Sequence, residues 1–252
     1  MTLFKATITE GIYFKKMIEV LHNVFKFVIF HATEDGLFLR MMNTQESLLL
    51  DVELPRAKFA AFSVSAPVLF SLNVMHLHKV ITSLKRRDLI VLEITESFDM
   101  LYVTVQPLDS DYSETVTVSI QNVQMIDIDI PYEYGEPICV PQQKFHKMCK
   151  EMNGIGQELI VHGNENFIHF QSSVAGMYGK GVTFGRVGGP ITYNDTFQIE
   201  NFVKISKISS FGQPIFLHAV SENPLYILVD IGSIGKLSIF LKSSAETLDD
   251  NI

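Results

Sequence analysis

"FHKMCKEM", residues 145–152, decides how the chain is read. Phe145, Met148, Cys149 and Met152 recur at i, i+3, i+4 and i+7, which marks one face of an α-helix. Lys147 and Lys150 fall on the other side. The same spacing returns in "FKKMIEVL" (14–21), through Phe14, Met17, Ile18 and Leu21, and in "LHKVITSL" (77–84), through Leu77, Val80, Ile81 and Leu84. A fourth stretch, "FVKISKIS" (202–209), keeps Phe202 and Ile205 but has serine at 206 and 209. A helix is predicted there as well.

Aligned on the first apolar residue, all four stretches have lysine third: Lys16, Lys79, Lys147 and Lys204. At about 100° per residue that lysine points roughly 200° away from the first apolar residue, out of the core. Lys150 and Lys207 align with each other at position six, and Lys15, His22, Lys85 and Arg86 lie close by. A lysine on the solvent side of one amphipathic helix is ordinary. Four in register carry more weight, because the chain has 28 acidic residues against 20 Lys and Arg and a net charge of −8. Such a balance argues against general affinity for polyanions, so any phosphate-binding surface has to be local.

Most of the remaining sequence reads as strand. "KFVIFHA", "GLFLRMM", "SLLLDVEL", "LIVLEI", "MLYVTV", "ETVTVSI", "FIHFQSS", "IFLHAV", "LYILVDI" and "KLSIFLK" are short and rich in Val, Ile, Leu and Phe. "TEDGL" (33–37) and "HGNENF" (162–167) read as hairpin turns, so the sheets are expected to be antiparallel. The helices begin near 14, 77, 145 and 202, one per quarter of 252 residues. One strand–helix–strands unit used four times, as two related halves, explains this order. The expected division is 1–120, a connector over 121–137 with two prolines and no helical period, and 138–252. At 47% hydrophobic and 19% charged, the chain reads as globular. No apolar run approaches the roughly 20 residues of a membrane helix. The opening "MTLFKATITEG" does not read as a signal peptide. Two cysteines, Cys139 and Cys149, do not make a disulfide framework and point to a reducing compartment.

At these residues the sequence resembles the proliferating cell nuclear antigen (PCNA) family of DNA sliding clamps. "GIYFKKMIEVL" (11–21) and "SLNVMHLHKVITSLKRRDLIVLEI" (71–94) look like that family's first two helices. "VPQQKFHKMCKEMNGIGQELIV" (140–161) is similar to the start of its second domain, and "VDIGSIGKLSIFLKS" (229–243) to its closing strands. Order, spacing and length together carry the resemblance. It implies an α+β fold of two similar clamp domains, with antiparallel sheets outside and four helices on the inner face. Three chains would close head to tail into a pseudo-sixfold ring around duplex DNA.

On that reading Lys15, Lys16, His22, Lys79, Lys85, Arg86, Lys147, Lys150, Lys204 and Lys207 face the DNA. The ring contact would pair the strand at Val116, Val118 and Ile120 with the neighbour's strand at Tyr178, Lys180 and Val182. A partner-peptide pocket would be built from Met42, Ser47, Leu49, Ile128, Ile130, Pro224 and Phe240. For Met42, Leu49 and Phe240, plain core packing is the alternative. Phe240 stands where the family usually has tyrosine. Lys242 and Ser243 replace a small residue and proline, and Glu165 stands near a lysine that eukaryotic clamps carry. These departures describe a divergent member, viral or archaeal in character.

No catalytic set emerges from the sequence. The eight histidines are scattered; His76 and His78 sit i, i+2 and do not face each other on a helix. Asp127 and Asp129 are weak evidence for a cation site. "GRVGGP" (185–190) lacks the lysine of a phosphate loop. Cys149 lies on an apolar stripe. No cofactor or metal is implied. The resemblance implies a non-enzymatic DNA polymerase processivity factor whose partners are double-stranded DNA, a clamp loader, further copies of itself, and replication and repair proteins bearing a short aromatic motif. Its place is the nucleus in a eukaryote, and the cytoplasm or a viral replication site otherwise. A subunit of a heterotrimeric clamp and a non-ring viral factor are alternatives, and a β-rich enzyme or ligand-binding protein is a more distant one.

Overall fold

The computed structural model describes residues 2–107, 111–123, 128, 130, 134–174 and 177–245. Asp127 and Asp129, and most of the connector centre, lie outside these residues. The chain forms two units. The first holds Met1–Met41, Asp51–Ile128 and Asp230–Leu237; the second holds Met42–Leu50, Asp129–Val229 and Ser238–Ile252. Among the described residues no helix is long and apolar enough to cross a membrane.

The chain order reads as one motif four times. β1 (Thr2–Ile8) leads into α1 (Gly11–Val24), then β2 (Phe27–Thr33), β3 (Gly36–Met42) and β4 (Leu48–Pro55). After the short β5 (Ala61–Val64), β6 (Val68–Asn73) leads into α2 (Val74–Ile81), then β7 (Leu89–Thr95), β8 (Met100–Gln106) and β9 (Glu114–Gln121). β10 (Ile138–Val140) precedes α3 (Gln142–Asn153), β11 (Glu158–Asn164), β12 (Phe167–Val174) and β13 (Tyr178–Gly185). β14 (Tyr193–Gln198) precedes α4 (Ile199–Ile205), β15 (Ile215–His218), β16 (Leu225–Asp230) and β17 (Lys236–Leu241). In the first unit the strand order runs β3-β2-β6-β9-β8-β7-β1-β5; in the second, β13-β12-β11-β14 forms one sheet and β10-β15-β16 a run in another. The registered pairs are antiparallel throughout.

The expected hairpins close as two-residue loops, Thr33 opposite Gly36 and Asn164 opposite Phe167. Gly36 has φ 152°, and a Cβ there would meet the Leu54 carbonyl oxygen at 2.3 Å. Only glycine fits that approach.

The helices differ from expectation at their ends. α2 stops at Ile81, three residues before Leu84. Thr82 Oγ1 donates to the His78 carbonyl, and the Leu84 amide donates to that of Ile81. Leu84 is still buried, but from a turn. α4 tightens after Ile205 into a 3₁₀ segment, Ser206–Phe211. The Ser206 and Ser209 hydroxyls donate to carbonyls three residues back, Val203 and Ser206, each at 2.8 Å. In a three-residue repeat the buried positions become Ile205, Ile208 and Phe211.

Aromatic rings knit each core, between strands in the first unit and between helix and sheet in the second. Phe70 meets Phe4 and Phe30 in the first. In the second, Phe202 of α4 meets Phe170 and Phe197 edge-on, at 6.0 and 5.9 Å. Phe145 is wholly buried on α3. Its truncation, Phe145→Ala, is expected to cost about 3–5 kcal/mol, read as an earlier urea transition by circular dichroism.

Candidate nucleic-acid interface

The four helices begin at residues 11, 74, 142 and 199, each three residues before the aligned apolar residue. Lys16, Lys79, Lys147 and Lys204 are therefore the sixth residue of their helices. Identical register is a stronger relation than similar spacing, because it fixes each lysine relative to the strand that leads into its helix.

In the first unit α1 lies beside α2. Lys15 Nζ donates to the Thr82 carbonyl at the end of α2. Lys16 sits 5.4 Å from the centre of the Tyr13 ring. Partial burial pulls its pKa down; Glu19 opposes this and Arg86 reinforces it. Lys79, Lys85 and Arg86 are exposed. His22 and His78, in the last turns of α1 and α2, stack at 4.9 Å and 7°. Arg87 extends the exposed basic run; its place directly after Lys85 and Arg86 was the signal for it.

In the second unit α3 lies beside α4 and its 3₁₀ extension. Lys147 is 67% exposed and only 3.8 Å from Glu151, whose closer partner is Lys180 at 2.8 Å. Lys204 is 24% exposed and held by Glu200 at 2.8 Å. Lys150 and Lys207 are exposed. Lys144, also exposed, stands one turn before Lys147 on the same face and was missed. Each helix pair thus presents ammonium groups on its solvent side. Intrahelical carboxylates restrain two of the four aligned lysines, Lys147 loosely and Lys204 closely.

The family model described as proliferating cell nuclear antigen, N-terminal domain, matches residues 3–134. The chain belongs to the PCNA family. It is similar to a DNA polymerase sliding clamp of Pyrococcus furiosus, 27% identical over 118 residues, 47% of this chain and 46% of that protein. The match therefore spans about half the length of that relative. In fold it is similar to the crystal structure of the proliferating cellular nuclear antigen from Entamoeba histolytica, with a TM-score of 0.86 at 16% identity, covering 97% of this chain and 100% of that one.

The positions assigned to a PCNA-type partner pocket are not all arranged alike. In the second unit Phe240 stacks on Tyr226 at 4.7 Å and 6°, and Tyr226 stacks on His218 at 4.8 Å. Tyr134 leans against all three rings and donates from its hydroxyl to the Pro224 carbonyl at 3.1 Å. Tyr134, His218 and Tyr226 were missed: His218 and Tyr226 lie in stretches that read as strand, and Tyr134 in the connector. Ser47 is turned inward: its hydroxyl accepts from the amides of Asn43 and Asn201, each at 3.2 Å. Ser47 closes a loop rather than lining a surface. Leu49 is 5% exposed, in the core; Met42, Ile130 and Pro224 are half-buried. Ile128 belongs to the first unit, where Arg40 forks onto Asp51 and donates to the Ile128 carbonyl at 3.3 Å.

Both expected ring-contact strands have an open side among the described residues. β9 pairs with β8 along 114–119 but meets β6 only at Ile120 and Gln121. Val116 is half-buried, and Val118 and Ile120 are buried. β13 ends its sheet, with Tyr178 61% exposed and Val182 half-buried. Lys180 instead turns toward α3 and Glu151.

Cys149 is buried, which pushes its thiol far above the usual range, as expected of a core residue. "GRVGGP" is a loop clasped by Asn164, whose side-chain amide donates to the Gly188 and Pro190 carbonyls at 2.8 Å. Among the described residues no three His, Cys, Asp or Glu side chains converge as a metal cage.

Burial lowers the His218 pKa, against the opposing pull of the Gly135 carbonyl and Glu136. The folded state thus holds neutral imidazole. The contribution of His218 to stability is complete above its unfolded pKa of about 6.5 and is lost as pH falls through the lower folded value. The urea midpoint of the wild type is expected to drop more between pH 7.5 and 5.0 than that of His218→Asn; equal drops would remove His218 from the pH response.

Proposed function

We propose that the chain is a sliding clamp, a non-enzymatic processivity factor that encircles duplex DNA without reading its sequence. The observation that carries this is the lysine at the sixth position of all four helices, in a chain that is acidic overall. Lysine contacts to phosphate are sequence-independent and salt-sensitive, and a protein that must slide has no use for base contacts. A flexible ammonium supplies attraction without fixed register. The negative surplus on other surfaces discourages DNA from binding there.

Ring closure is proposed through β9 of one copy and β13 of the next. Open strand edges are a liability that proteins normally cover, and a head-to-tail contact between two different edges is the heterologous kind that closes when its rotation is right. The proposed assembly is a homotrimer, opened by a loader. Light scattering at low ionic strength is expected to give the mass of three chains; a persistent monomer or dimer would favour the non-ring alternative.

Replacing Lys16, Lys79, Lys147 and Lys204 together with glutamate is expected to lower processive synthesis by the cognate polymerase roughly tenfold or more, with circular dichroism unchanged. Unchanged processivity in a folded variant would remove the lysines from the function.

Partner recruitment is proposed at Phe240, Pro224 and Ile130, all of the second unit. Anchor pockets concentrate binding energy in few residues, so Phe240→Ala is expected to weaken an aromatic-bearing peptide about tenfold or more by calorimetry.

A further inference from the structure

We infer that His162 and His169 form a two-imidazole site for a borderline transition-metal ion, Zn²⁺, Ni²⁺ or Cu²⁺, on the sheet β13-β12-β11-β14. The site is independent of the proposed clamp function. His162 on β11 and His169 on β12 are direct cross-strand partners, with Thr183 opposite His169 on β13 and Asn194 opposite His162 on β14. Alternation along the strands sends these four side chains to one face. The buried Val161, Ile168 and Phe170 occupy the other. Both histidines are half-buried, so the pair is accessible without being loose.

The ring centres are 4.7 Å apart. Metal–imidazole bonds of about 2.1 Å place two rings that share one ion roughly 4.5–5.5 Å apart. His169 is already oriented: its Nδ1 lies 2.7 Å from Thr183 Oγ1. A ligating histidine almost always uses its second nitrogen in this way. The Cε1–Nε2 edge of the ring lies against Gly181, where a Cβ would come within 2.6 Å of it, so the glycine leaves room for the ring. The 35° between the ring planes leaves a rotation to His162, whose ring has no hydrogen-bond partner among the described residues and whose terminal torsion is soft. The other close pair, His22 and His78, is nearly parallel at 7°. Stacked rings cannot both hold one ion in their planes, so the inference does not extend to them. Imidazole selects Zn²⁺, Ni²⁺ and Cu²⁺ over Mg²⁺ and Ca²⁺, and water completes the coordination.

The test is nickel chloride titrated into the intact chain by calorimetry, with histidine ring signals followed by NMR. One ion per chain is expected, with the His162 and His169 signals broadened before those of the other histidines. His162→Ala and His169→Gln should each abolish this event. Thr183→Val, which keeps both ligands, should weaken it about tenfold. Magnesium should give no heat. Equal nickel binding in wild type and His162→Ala, or broadening that begins at other histidines, would overturn the inference.

Discussion

A helix docked on a sheet through its fourth residue has no freedom in where its sixth residue points. Phe14, Leu77, Phe145 and Phe202 are each fully buried, and each is the fourth residue of its helix. The helical angle then carries the sixth residue to the solvent side. Hydrophobic burial, a non-directional force, thereby sets the direction of four charges. The electrostatic face is a consequence of the core, and altering it by changing the core would cost the fold first.

The charges themselves are moderated. Lys16 is partly desolvated over Tyr13, Lys204 is taken up by Glu200, and Lys147 shares Glu151 with Lys180. Exposed pairs of this kind contribute little to stability. They do keep each ammonium close to a carboxylate that a phosphate can displace. Weak, exchangeable attraction is what the proposed sliding function needs.

Much of the architecture was legible because it is written in short-range periodicity. Three apolar stripes, the two hairpins and ten strands all follow from spacing and turn residues. What escaped is what spacing does not encode. The serines of the fourth helix read as defects in a 3.6-residue repeat and turned out to belong to a three-residue one. Leu84 fits the stripe of α2 but is buried from a turn, since side-chain competition at Thr82 is invisible in a hydrophobicity pattern. Ser47 resembles a surface residue until the amide of Asn201, 154 positions away, is seen joining that of nearby Asn43 on its hydroxyl. The Tyr134, His218, Tyr226 and Phe240 cluster, like the His162–His169 pair, depends on cross-strand register, which a single sequence leaves open.

The interleaving of the two units bears on how the chain is made. The first unit includes Asp230–Leu237, and the second reaches back for Met42–Leu50. On the ribosome, domains ordinarily fold in order as they emerge. Here the unit that opens the chain takes in Asp230–Leu237, and the Ser233 hydroxyl donates to Glu10 across 223 positions. Long-range closure of this kind generally slows folding.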